Sequence, residues 1–134
     1  MNILLDTHSA FWAIIDDPRL SQNAKDLILD PLNNIYFSTV STWEILLKHA
    51  RRPKEFDMDS RQFTELCMQT GFLPLNLLNQ HIHEVDSLRR PYGAPEHKDP
   101  FDRLLLAQAK AENLLFLTHD RKIIFYNESC VILY

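Results

Sequence analysis

Short apolar runs alternate with stretches of helical periodicity along the whole chain. NILLD, Asn2 to Asp6, carries three consecutive aliphatic residues, as a strand covered on both faces requires. His8 to Ile15 has helical spacing, and Ser21 is placed to cap a second helix reaching Leu29. The pattern then repeats. NIYFS (34–38) reads as a strand, and Ser41 with Glu44 fits a capping box opening a helix to about Arg51. Asp59 is the expected cap of a helix through Thr70, and FLPL (72–75) is a third strand that Pro74 confines to an edge. Asn79 to Leu88 reads as a helix. RRPYGAPEHKDP (89–100), with three prolines and one of the chain's two glycines, reads as a loop. A helix from Pro100 to about Glu112, the strand LLFLTHD (114–120), a helical turn over Arg121 to Tyr126 and a last strand VILY (131–134) complete the pattern.

Strands separated by helices predict an α/β fold of three layers, α/β/α, with a mainly parallel central sheet. One domain spans residues 1–134. Sheets of this kind place ligand sites outside the carboxyl ends of their strands, an edge they share with helix N-termini. Asp6 ends the first strand, Asp120 ends LLFLTHD, and Glu44 and Asp102 fall in the first turns of their predicted helices. Four carboxylates from distant parts of the chain are therefore expected to converge.

The stretch HKDPFDRLLLAQA (97–109) sharpens this expectation. Asp99 suits an N-cap and Pro100 the first helical position. Asp102 lies three, four and seven residues before Leu105, Leu106 and Ala109, on the apolar stripe that faces inward. Each acid alone has a structural reading: Asp6 and Asp120 as caps or turn residues, Glu44 as a capping-box member or the partner of Lys48. Clustered carboxylates, however, repel one another unless protonated or neutralised by a cation. A hard divalent ion, Mg²⁺ or Mn²⁺, is the economical solution, and it selects phosphate-ester chemistry.

Composition narrows the classes further. The 134 residues are 46% hydrophobic, as in ordinary globular domains, and no apolar run approaches a membrane span. MNILLDTH lacks the features of a signal peptide, so a cytoplasmic location is expected. Cys67 and Cys130 lack zinc or CxxC spacing and read as core residues. The net charge of −4 excludes a generally basic coat, although KHARRPK (48–54) is a local cationic cluster. His81 and His83 are two apart on a helix and are assigned to its solvated surface. His97 and His119 flank acids and could touch substrate. Trp12, Trp43 and the aromatics near Phe37 read as core or dimer packing.

ILLDTH (3–8), STVSTWEILLK (38–48), HKDPFDRLLLAQA (97–109) and FLTHD (116–120) together resemble PIN-domain ribonucleases, most of all the VapC-type toxins of bacterial toxin–antitoxin pairs. The resemblance runs through nearly the whole chain in the right order. It implies a PIN-like fold and a metal-dependent endoribonuclease that acts on RNA such as tRNA or ribosomal RNA. It also implies catalytic, metal-binding acids at Asp6, Glu44, Asp102 and Asp120, Mg²⁺ or Mn²⁺ as cofactor, a cognate antitoxin, and a homodimer. Asp99 matches the first acid of the family's DPFD motif and is taken as the cap. Thr7 and Thr118 would orient the acids or face a phosphate, Glu44 or Asp120 would orient the attacking water, and the acids fit one ion or two. Lys48, Arg103 and Arg121 are the cations placed for the RNA backbone. HARRPKEFDMD (49–59) departs from the family in lacking a glycine that many relatives carry there. Two alternatives stand beside this reading, a PIN nuclease of RNA processing outside toxin systems and a catalytically silent binding protein. An aspartyl-phosphate enzyme is disfavoured, because Thr7 and His8 follow Asp6 where a second acid would be needed.

Overall fold

The computed structural model describes residues 1–134. The chain runs β1 (Asn2–Leu5), α1 (Thr7–Ile14), α2 (Gln22–Leu29), β2 (Asn34–Ser38), α3 (Thr39–Arg51), α4 (Ser60–Thr70) and β3 (Leu73–Leu75). It continues through α5 (Asn79–Glu84), α6 (Pro100–Ala111), β4 (Leu115–Thr118) and β5 (Val131–Leu133), with 3-10 turns at Val85–Ser87 and Arg121–Tyr126. The five strands form one sheet in the order β3-β2-β1-β4-β5, and every pairing is parallel.

β1 is apolar throughout because both of its faces are covered. Ile3 and Leu5 enter a core with Phe11 of α1, Ala24 of α2, and Phe63 and Cys67 of α4. Leu4, pointing the other way, packs with Leu105, Leu106 and Ala109 of α6. α3 straddles the two layers, giving Ile45 to the first core and Val40 to the second. From β1 the chain steps outward to β2 and β3, then crosses back to β4 on the other side. The switch point therefore lies between β1 and β4, and Asp6 and Asp120 follow those two strands.

Caps explain most helix starts. The side chains of Asp6, Ser21, Asp59 and Asp99 accept from backbone N–H groups of the first turns of α1, α2, α4 and α6. α4 ends on Gly71 at φ 93°, a left-handed C-terminal cap that glycine adopts without penalty. The start of α3 differs from the predicted one. Ser38, the last residue of β2, is its cap, with Oγ accepting from Val40 N–H at 3.0 Å. Strand passes into helix without a loop, so Ser41 and Glu44 lie inside α3 and no Ser41 capping box forms.

His81 also departs from the solvated position expected of it. It is fully buried where α5 packs on α6, its Nδ1 accepting from Leu78 N–H (3.0 Å) and its Nε2 bonded to Glu112 Oε1 (2.7 Å). His83 is exposed. Trp12 is buried, but Trp43 is 55% exposed and belongs to no core. It borders an apolar groove between α3 and α6 with Val40, Leu77, Phe101 and Leu104. Cys67 is buried, which pushes its thiol up to about 12, while Cys130 is only half-buried. No helix is long and apolar enough to cross a membrane.

Candidate metal centre

At the switch point lies a cavity of about 380 Å³ with no hydrophobic residue in its wall. Asp6, His8, His97, Lys98, Asp99, Asp102, His119, Asp120 and Lys122 line it. Three of the four predicted acids thus meet in one place. Glu44 is not in the wall. It is buried behind it, yet close enough that its charge acts on both His8 and Asp102.

Each acid is held by the element that delivers it. Asp6 Oδ1 accepts from Ser9 N–H (2.7 Å) as the cap of α1, and Oδ2 accepts from Thr118 Oγ1 (2.7 Å) and His119 N–H (3.0 Å). Glu44 Oε1 accepts from Thr7 Oγ1 at 2.6 Å, while Ser41 Oγ lies 2.9 Å from the same hydroxyl; Oε2 is paired with Lys48. Asp102 stands in the first turn of α6, where Asp99 Oδ1 receives the N–H groups of Phe101 and Asp102. Asp120 caps the turn after β4, with Oδ1 accepting from Lys122 N–H at 2.9 Å and its own N–H donating to Thr118 Oγ1 at 3.0 Å. Thr7 and Thr118 therefore orient acids and do not face the cavity.

The electrostatics are those of crowded carboxylates. Burial, joined by the charges of Asp6, Asp99 and Glu44 and a hydrogen bond to Asp120, raises the Asp102 carboxyl well above its ordinary value. Asp120 goes the opposite way. Burial pushes it up, but hydrogen bonds from His97, Lys122 N–H and Asp102 outweigh that and hold it at about 2. The two neighbouring carboxyls are thus driven in opposite directions. Burial also lowers His8 despite the pull of Asp6. Ligand atoms of His97, Asp102 and Asp120 all lie within 4.8 Å of one another. Carboxylates crowded this closely are a donor set that a hard divalent cation fits.

The cations fall differently from the sequence expectation. Lys48 is bound to Glu44, and Arg103 is partly buried near Tyr126, with its Nε lacking a hydrogen-bond partner. Arg121 is exposed beside Asp120 without lining the cavity. Lys98 and Lys122 line it instead. His97 is the residue whose place in the site went furthest beyond expectation. It is buried, with Nε2 2.6 Å from Asp120 Oδ2 and Nδ1 2.9 Å from the Tyr126 hydroxyl. Its position next to the DPFD stretch was the only available signal.

Fold and site together define an α/β protein that gathers carboxylates at the switch point of a parallel sheet, the setting of an oxygen-ligand metal centre. The chain belongs to the PIN domain family, whose model matches residues 3–127. PIN domains are nucleases. No curated protein matches the sequence. Among solved structures, the chain is similar to VapBC2 from Rickettsia felis bound to a DNA fragment from its promoter, at 19% identity and a TM-score of 0.69, covering 100% of this chain and 98% of that one. It is similar to VapBC-1 from nontypeable Haemophilus influenzae at 16% identity and 0.60, covering 95% and 92%. FitAcB from Neisseria gonorrhoeae shows 20% identity and 0.62, covering 97% and 96%. At these identities the likeness is one of fold.

Proposed function

We propose that this chain is a divalent-metal-dependent endoribonuclease, the toxin of a toxin–antitoxin pair. The observation that carries the reading is the meeting of Asp6, Asp102 and Asp120 in one cavity lined only by polar and charged residues, with Glu44 buried behind them, in a PIN domain. The donor set favours Mg²⁺ or Mn²⁺. Such an ion, when bound, supplies Lewis acidity at a phosphoryl oxygen and a water of lowered pKa.

The chain's own residues then divide the work. Asp6, fixed by three donors, Asp102 and Asp120 hold the cation. Asp120 also orients the attacking water, while Glu44, enclosed between Thr7 and Lys48, adds its charge from behind the wall. Lys98 and Lys122, on the cavity wall, and Arg121 beside it receive the RNA backbone. Neighbours solved as VapBC complexes support an antitoxin partner for this chain. The exposed Trp43 and the groove beside it support self-association as a homodimer.

The test is cleavage of total RNA by the purified chain with Mn²⁺, beside Asp6→Asn and Asp102→Asn. Both variants should retain the wild-type circular dichroism and fall to background cleavage, because an amide keeps the shape and removes the charge. Wild-type cleavage by either folded variant overturns the site. In the cell, induction of the chain should arrest growth, and co-expression of the adjacent gene's product should relieve it. Harmless expression of active enzyme favours an RNA-processing nuclease outside toxin systems. Sedimentation of the isolated chain at micromolar concentration reads its oligomeric state.

A further inference from the structure

Between Arg89 and Asp99 the chain has no helix or strand, and a single residue of that stretch is buried. That residue is His97, at 5% exposure. Its surroundings are polar. Nε2 lies 2.6 Å from Asp120 Oδ2, and Nδ1 lies 2.9 Å from the hydroxyl of Tyr126. An ionised carboxylate can only accept, so Nε2 carries a proton; in the neutral ring Nδ1 is then the acceptor for the Tyr126 O–H. With a neutral ring the chain runs from Tyr126 O–H to His97 and from His97 N–H to Asp120.

Tyr126 is itself held. It is buried in the core beneath α6, its ring meets that of His97 edge-on at 5.6 Å, and the Arg90 guanidinium sits 6.0 Å over its face. The turn that carries Tyr126 is the same turn that Asp120 caps. Turn and loop are clasped a second time, by Lys122 Nζ donating to Glu96 O at 3.0 Å. With Lys122 N–H on Oδ1 and His97 on Oδ2, both oxygens of Asp120 have a donor, so its carboxylate plane is fixed before any cation arrives.

We propose that His97, anchored by Tyr126, is a positioning residue that holds the Asp120 carboxylate in the orientation the metal centre uses. The inference rests on the nuclease reading above and adds to it a part of the machinery outside the four acids. A hydrogen-bond partner that orients a metal-site carboxylate typically governs metal affinity or turnover by roughly 10–100-fold. The imidazole works through Asp120, while the cation's own oxygen ligands stay in place.

The experiment compares wild type, His97→Ala, His97→Gln and Tyr126→Phe by calorimetric titration with Mn²⁺ and by RNA cleavage at saturating Mn²⁺. Alanine should weaken Mn²⁺ binding and lower kcat by roughly 10–100-fold, with KM for RNA within about twofold. Glutamine, whose amide N–H reaches the place of Nε2, should recover most of both losses. Phenylalanine should fall between wild type and alanine, because it leaves the ring in place and frees its orientation. Wild-type Mn²⁺ affinity and kcat in His97→Ala, or in Tyr126→Phe should the alanine variant not fold, overturn the proposal. A glutamine variant as defective as alanine also overturns it, since it points to an imidazole that ligates directly. A wild-type chain that neither binds Mn²⁺ nor cleaves RNA overturns the nuclease reading itself. Normal wild-type behaviour with an indifferent His97 overturns only the relay.

Discussion

Thr118 shows how one hydroxyl can serve two acids at once. It is fully buried at the end of β4, donates to Asp6 Oδ2 at 2.7 Å and accepts from Asp120 N–H at 3.0 Å. It therefore ties the acid after β1 to the acid after β4, across the switch point. Thr7 Oγ1 donates to Glu44 Oε1 and lies against Ser41 Oγ, so α1 and α3 are joined behind the cavity. Such bonds also settle why Asp6 and Asp120 can cap and still serve the site: a carboxylate has lone pairs enough for N–H donors on one side and a cation on the other. Thr118→Val keeps the shape, leaves Asp120 N–H without its acceptor, and removes one of three donors to Asp6. It should cost about 1–3 kcal/mol of stability and weaken Mn²⁺ binding by roughly 10–100-fold. Urea unfolding and calorimetric titration read the two effects separately. Unchanged Mn²⁺ affinity in the folded variant would show that Asp6 does not need this bond.

At the level of elements, local signals were readable and distant partners were not. Strand and helix alternation, the edge role of Pro74 and the caps at Ser21, Asp59 and Asp99 depend on neighbours within a few residues, which periodicity and capping rules capture. The meeting of Asp6, Asp102 and Asp120 was readable because parallel topology carries strand ends and helix starts to one edge. The start of α3 was set at Ser41 because Ser41 with Glu44 fits a capping box locally, whereas Ser38 caps the helix directly from the end of β2. The burial of His81 and His97 was invisible, because their partners lie 31 and 23 residues away. Two-residue spacing says that His81 and His83 face apart, and gives no sign that α6 offers His81 a polar niche. Gln108 of α6 and Glu112, its C-terminal cap one turn later, both reach the His81 ring. His81→Leu would strand Leu78 N–H and leave Glu112 and the buried Gln108 amide short of a partner, so a loss of about 1–3 kcal/mol is expected. The denaturation midpoint should fall while RNA cleavage per folded molecule stays at the wild-type rate. An unchanged midpoint would mean that α5 repacks without the imidazole.

The molecule as a whole poses an electrostatic problem for its proposed substrate. Its net charge is −4, and its cavity is walled by four aspartates, yet RNA is a polyanion. A bound divalent cation offsets part of that charge, and the remainder must come from fixed cations at the rim. Lys48 is spent on Glu44, and the Arg52 of the basic cluster is paired with Glu55. Lys98 is the freest cation on the cavity wall, with 80% of its side chain exposed and only a long 3.7 Å contact to Glu96. Lys122 is committed in part, because its Nζ also holds the loop that carries His97. Lys98→Ala is thus the clean probe of backbone contact, and Lys122→Ala should combine lost contact with a looser site. Binding is best read on Asp102→Asn, which should hold RNA without cutting it, as affinity against salt concentration. Each phosphate contact contributes about 0.7 to the slope of log affinity on log salt for a single strand. Lys98→Ala should lower the slope by about that amount and weaken different RNA sequences equally, as loss of a phosphate contact does. An unchanged slope would place the RNA path elsewhere on the surface. The exposed Arg51, at the end of α3, and Lys54 just past it would then be the next cations to replace.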